Sequence, residues 1–226
     1  MADPPKPRVA LVAGASGMVG LHLVRALLAA PEYQRVIALS RRALPLEHAR
    51  LANRIVRFES LEKEMAGMSC QDAFCCLGTT LKAAGSQAAF VAIDKDLVVR
   101  FARWAHAAGA LCFVAVTSAE AVVDSKNFYL RVKGETEREL EAVRFQTLHL
   151  MRPGLLIGDR RDWRPAEAAG RLLAPLLNPL LQGRYKAWRA IPASTVAAAM
   201  RGAALSGRRG LFRYGYSEML RLAGKD

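Results

Sequence analysis

Tyr129 and Lys133 stand at i and i+4 in Tyr129-Leu-Arg-Val-Lys133, a spacing that brings both onto one helical face within mutual reach. A lysine ammonium beside a phenol favours the phenolate, the form able to take up a proton. Upstream, Thr117-Ser118 closes an apolar run, and the Ser118 hydroxyl is placed to hydrogen-bond a carbonyl that Tyr129 protonates. The pair alone is a weak motif; its position directly after that run gives it weight. The chemistry it suggests is proton transfer to or from an oxygen.

A second group is Gly14-Ala-Ser16-Gly17-Met18-Val19-Gly20, spaced G-x-x-G-x-x-G rather than the commoner G-x-G-x-x-G. Without Cβ atoms the backbone turns tightly, and its N–H groups approach a pyrophosphate at the positive end of a helix. A ligand-free glycine turn would use the same residues. The strand pattern before it and the helix pattern after it favour the nucleotide reading. At the end of the second strand, where an NAD-selective site places Asp or Glu, the chain has Ser40-Arg41-Arg42. No carboxylate lies there to repel a 2′-phosphate, and two guanidiniums would clamp one. The expected cofactor is therefore NADP(H) in preference to NAD(H), against the plainer reading of a solvated basic turn.

These residues need a frame. Arg8–Ala13 is a continuous apolar run, as in a strand buried on both faces, and Met18–Ala30 follows with helical spacing. Further strands are expected at Arg35–Leu39, Arg54–Phe58, Asp72–Leu77, Leu111–Thr117 and Thr147–Met151. Helices are expected from Gln87 to Ala108 and from Asn127 to Val143. Strands separated by helices imply right-handed crossovers and a parallel sheet. The fold class is α/β, doubly wound and Rossmann-type, with residues 1–157 binding the nucleotide. Residues 158–226, with Pro165, Pro175, Pro179 and Pro192 and no regular strand alternation, read as a small substrate-side lobe of the same compact unit.

Composition bounds the rest. The chain has 226 residues, 52% hydrophobic, with 33 Lys+Arg against 20 Asp+Glu, a net charge of +13. This suits a phosphorylated partner, and the basic residues are spread without any nucleic-acid-binding motif. The longest uncharged stretches, Val9–Val24 and Trp104–Ala119, fall short of the roughly 18–20 residues of a membrane span. With no apolar run behind the N-terminal charges, a cytoplasmic protein is expected. Cys70, Cys75, Cys76 and Cys112 are too irregular for a disulfide framework or a zinc site and read as core thiols; no metal is expected. Apolar stripes on the two long helices fit either a monomer's core or a homodimer.

Taken together, Gly14/Gly17/Gly20, Ser118/Tyr129/Lys133 and the Arg152-Pro153-Gly154 turn resemble the short-chain dehydrogenase/reductase superfamily, in its extended or atypical branch. The segments Phe74–Thr80, Asn127–Glu135 and Met151–Arg160 are similar to those of the Tat-interacting oxidoreductase-like family and its bacterial relatives. The resemblance implies a Rossmann fold and hydride transfer to or from a small carbonyl or alcohol, with Tyr129 as general acid/base. Lys133 would hold the nicotinamide ribose and Ser118 would orient the substrate oxygen. Leu77, Gly78, Thr79 and Thr117 would line the cofactor, and Pro153, Gly154, Leu155 and Leu156 would flank the nicotinamide. It also leaves open an NADPH-binding regulatory protein with a protein partner, or a nucleotide-sugar epimerase or dehydratase. In many members the helix after strand four carries an Asn that supports a proton-relay water. Ala92 aligns there, which puts that relay in question.

Overall fold

Arg8–Ala13 forms β1, and its alternate side chains leave on opposite sides: Ala10 and Val12 enter one apolar cluster, Leu11 and Ala13 the other. A strand covered on both faces needs such an unbroken apolar run. The computed structural model describes residues 7–158 and 188–225. Within them lie β2 (Tyr33–Ser40), β3 (Leu51–Ile55), β4 (Asp72–Cys75), β5 (Cys112–Val116), β6 (Thr147–Met151), β7 (Leu156–Ile157), β8 (Ile191–Pro192) and β9 (Gly210–Tyr214). A 7-stranded sheet runs β3-β2-β1-β4-β5-β6-β9 with every pairing parallel, while β7 and β8 form a separate short pair. This is the doubly wound Rossmann-type architecture.

The helices are α1 (Met18–Leu28), α2 (Leu61–Glu64), α3 (Leu81–Ala84), α4 (Gln87–Val91), α5 (Val98–Ala107), α6 (Phe128–Ala142), α7 (Ala193–Leu205) and α8 (Tyr216–Leu222). One apolar cluster joins α1, α7 and Met219 of α8 to the sheet; the other joins α5, Leu61 of α2 and Leu140 of α6 to its opposite face.

Three expectations are corrected. The third strand is Leu51–Ile55, not Arg54–Phe58. As an edge strand it buries only part of each face, so its apolar pattern is faint; Leu51 and Ala52 pack on opposite clusters. The helix expected over 87–108 is interrupted by a π-helical turn at Ala92–Leu97. The region after Gly158 does contribute a strand: β9 pairs with β6 along its full length. Its residues are mostly exposed, which hid it from a pattern search. Pro165, Pro175, Pro179 and the basic stretch from Arg160 to Arg184 lie outside the described residues.

His149 on β6 pins the neighbouring strand β9. The ring is 1% exposed, stacks on Phe212 at 5.4 Å and places Nδ1 3.0 Å from the Tyr214 hydroxyl. Burial, with a contribution from Arg208, pulls His149 down to about 4. Between that value and the unfolded one near 6.5 the unfolded chain binds a proton that the folded ring refuses. The stability contribution is therefore complete above about pH 6.5 and is lost as pH falls from there toward 4. Unfolding free energy measured by urea is expected to drop by about 2 kcal/mol between pH 7 and pH 5 from this residue. His149→Phe should flatten that part of the profile.

Candidate active site

The sheet order reverses between β1 and β4, where the outgoing chains diverge at their carboxyl ends and leave a crevice. The glycine loop crosses this point with backbone against backbone. Gly14 has φ +76°, and a Cβ there would lie 2.6 Å from the Cys76 carbonyl oxygen. A Cβ on Gly20 would lie 2.2 Å from the Gly14 carbonyl oxygen. Gly17 is the N-cap of α1, whose first turn holds no acidic residue. Ser16 and Gly17 are exposed, Met18 is half-buried, and Val19 and Gly20 are buried. The Met18 side chain lies so close to Gly158 that a Cβ there would come within 2.7 Å of it, which brings the chain after β7 over the helix start.

At the end of β2 the buried Ser40 hydroxyl donates to the Arg42 carbonyl oxygen at 2.5 Å and closes a tight turn. Arg41 and Arg42 are exposed on that turn, and neither pairs with a carboxylate of a described residue.

α6 begins at Asn127, whose side-chain oxygen accepts from the Leu130 N–H at 3.2 Å, a polar N-cap that fixes where the helix starts. One turn later Tyr129 and Lys133 meet as their spacing requires: the Lys133 Nζ is 5.8 Å from the centre of the Tyr129 ring. Phe90 backs that ring at 5.6 Å between centroids. Lys133 is 5% exposed and donates to the Asp94 carboxylate at 2.6 Å. Asp94, in turn, accepts from the Thr79 N–H at 2.7 Å, so the turn Leu77-Gly78-Thr79 after β4 rests against the lysine. The turn after β4 and the Tyr129–Lys133 pair are therefore joined through Asp94.

Ser118 is buried at the end of β5, on a loop that lies across α6. Gly134 makes that approach possible, since a Cβ there would sit 2.3 Å from the Val122 carbonyl carbon. Val122 N–H donates to the Leu130 carbonyl at 3.3 Å, and Ala119 N–H to the Pro153 carbonyl at 2.8 Å. The second bond ties the serine loop to Pro153–Leu156, where Pro153 is buried, Gly154 and Leu156 are half-buried and Leu155 is exposed. The Thr117 hydroxyl donates to the buried Glu137 carboxylate at 2.7 Å. Arg152 donates its Nε–H to the same group at 2.9 Å, and Arg213 of β9 also reaches it, at 3.3 Å. Glu137 thus clamps α6 to the ends of β5, β6 and β9.

The sequence reading missed Asp94 and Glu137. Two positions after Ala92, and inside the same π-helical turn, Asp94 faces the lysine. A signal existed for Glu137, which continues the Tyr129-Lys133 face by another i+4 step and so had to be buried with it. The thiols behave as core residues: Cys70, Cys75 and Cys112 are buried and all four are free, with Cys75 pushed up to about 12 by its burial. Among the described residues no group of three His, Cys, Asp or Glu gathers to hold a metal, and no helix is long and apolar enough to cross a membrane.

Known proteins are similar to this chain in sequence or in fold. HTATIP2 of Rattus norvegicus is 35% identical over 193 residues, covering 84% of this chain and 78% of that protein. The protein named fmp52-1, mitochondrial, of Aspergillus terreus is 36% identical over 225 residues, covering 96% of each. Among solved structures, MoeE5 in complex with UDP-glucuronic acid and NAD superposes with a TM-score of 0.68 at 20% identity, over 95% of this chain and 82% of that one, a likeness of fold. The model of one family spans residues 10–186, from the first strand through the glycine loop and the Tyr–Lys helix and beyond, and the chain accordingly belongs to the NAD dependent epimerase/dehydratase family.

Proposed function

We propose that the protein is an NADP(H)-dependent oxidoreductase of the short-chain dehydrogenase type, acting on a small carbonyl or alcohol. The observation that carries this reading is the contact of Lys133, through Asp94, with the turn after β4 at the sheet's switch point: the acid/base pair and the nucleotide crevice adjoin. The residues fit a dinucleotide. The start of α1 is free of acidic side chains, the glycine loop is closed down to backbone contact, and among the described residues Arg41 and Arg42 have no carboxylate partner. When bound, a reduced nicotinamide supplies the hydride. Tyr129 gives its phenolic proton to the substrate oxygen, and Ser118 donates a hydrogen bond to that oxygen and orients it. Lys133 holds the ribose and keeps its ammonium beside the phenol. Arg41 and Arg42 bind the 2′-phosphate, while Gly14–Gly20, Leu77–Thr79 and Pro153–Leu156 enclose the rest. Alcohol oxidation runs the same proton path backwards, with Tyr129 as base.

Fluorescence titration with NADPH and separately with NADH tests this. NADPH should bind more tightly, and Arg41→Ala with Arg42→Ala should weaken it about tenfold or more while leaving NADH unchanged. Equal binding of the two would remove the 2′-phosphate clamp. Failure of both would remove the nucleotide site. The family match itself favours a second reading, a nucleotide-sugar epimerase or dehydratase with the same three residues. Such an enzyme retains its nucleotide through turnover, so protein purified, denatured and chromatographed would release stoichiometric cofactor, whereas the oxidoreductase exchanges it freely.

A further inference from the structure

Asp94 is 1% exposed, and both of its carboxylate oxygens face donors. Oδ1 accepts from the Lys133 ammonium at 2.6 Å and Oδ2 from the Thr79 backbone N–H at 2.7 Å. Two donors require two acceptors. An ionised carboxylate supplies them, whereas an amide of the same size would turn an NH₂ toward one partner. The Thr136 hydroxyl lies 3.1 Å from the Asp94 carbonyl oxygen and 2.7 Å from that of Val132, where its one proton finds the nearer acceptor. A third observation concerns Gly78: a Cβ there would stand 3.3 Å from Asp94 Oδ1 and 3.9 Å from Lys133 Nζ. The turn after β4 therefore rests directly on the ion pair. Finally, Asp94 occupies a π-helical turn, a local distortion of the kind that re-aims a side chain at functional sites.

We propose that Asp94 is a positioning residue that locks Lys133 to the turn Leu77-Gly78-Thr79, so that the lysine and the nucleotide-facing backbone are set as one unit before any ligand arrives. The proposal rests on the nucleotide reading of the site given above. Its content is charge and geometry together. The carboxylate neutralises a buried ammonium and holds it in place, and it orients the Thr79 peptide with its other oxygen. An Asn at this position preserves the volume but breaks the match.

The test uses the full chain as Asp94→Asn, Asp94→Ala, Lys133→Met and the double variant Asp94→Asn/Lys133→Met. Each is titrated with NADPH and unfolded with urea. NADPH affinity is expected to fall about tenfold in Asp94→Asn, with no better retention than in Asp94→Ala. The loss in the double variant should be smaller than the product of the two single losses, because both residues act through one contact. Wild-type affinity in Asp94→Asn alongside weakened binding in Asp94→Ala would mean that volume rather than charge matters, and would overturn the proposal. Multiplying losses would overturn it too. Should the neutral Asp94 variants fail to fold, Asp94→Glu keeps the charge but moves both carboxylate oxygens outward by one methylene, away from their set distances to Lys133 and Thr79. Severalfold weaker NADPH binding is expected there, and unchanged affinity would overturn the proposal. If wild-type protein binds neither NADPH nor NADH, the nucleotide reading and the positioning role fall together. The urea cycle reports separately whether the Asp94–Lys133 coupling exists.

Discussion

Replacing Tyr129 by Phe is expected to lower turnover by about 10²–10⁴-fold while nucleotide affinity stays close to wild type. Only the hydroxyl is removed. The ring keeps its packing on Phe90, and Lys133 keeps its 2.6 Å bond to Asp94, so neither the helix nor the cofactor wall loses a contact. What disappears is the one described group placed beside that lysine able to deliver a proton to a substrate oxygen. Steady-state rates with NADPH and a panel of activated aldehydes and quinones, beside an NADPH titration and a melting curve, separate the possibilities. A fall in kcat with unchanged Kd and Tm assigns the proton to Tyr129. Undiminished turnover would move the acid elsewhere, and a fall in Tm would mean that the hydroxyl serves packing.

Gly20→Ala is expected to abolish measurable nucleotide binding and to destabilise the fold by at least about 3 kcal/mol. The added methyl would lie 2.2 Å from the Gly14 carbonyl oxygen and 2.9 Å from the Ala15 Cα. Both obstacles are backbone, so no side chain can swing aside to make room. α1 would have to shift, and α1 packs against α7 through the same apolar cluster that covers β1. The cost therefore spreads from the loop into the core. Urea unfolding and the NADPH titration check both parts. A well-folded variant with normal affinity would show that the loop has slack the geometry does not allow.

The two expectations differ in kind, and the difference follows from where each residue acts. In the proposed mechanism Tyr129 acts as a chemical group on a packed helix, so its loss is expected to touch rate and little else. Gly20 is an absence of atoms at a crossing of two chain segments, so filling it touches structure first.

How much of this was legible beforehand depended on the range of the interactions. β1, the glycine loop and α1 are adjacent in the chain, and their signals are local: an apolar run, three small residues, a helical period. Tyr129 and Lys133 meet because one helix sets their spacing, which a sequence states directly. The Asn127 cap, likewise, is a local bond. These elements were readable because backbone geometry alone converts their spacing into proximity.

The role of Asp94 was decided only by the tertiary structure, and so were the partners of Glu137, though its place on the Tyr129–Lys133 face was readable. Asp94 lies 39 residues from Lys133, and which residue of its helix faces the lysine depends on the π-helical turn, whose extra residue shifts the register in a way no propensity marks. Glu137 draws partners from β5, β6 and β9 through Thr117, Arg152 and Arg213, a convergence that exists only when three strands are side by side. β3 and β9 were misplaced or missed because edge strands bury one side poorly and their alternation fades. The sequence by itself determined the doubly wound class, the tight glycine loop and the Tyr129–Lys133 contact, since strand and helix periods and short spacings dictate them. Folding decided which carboxylate meets Lys133, because a buried charge finds its partner on a neighbouring packed helix and not along its own.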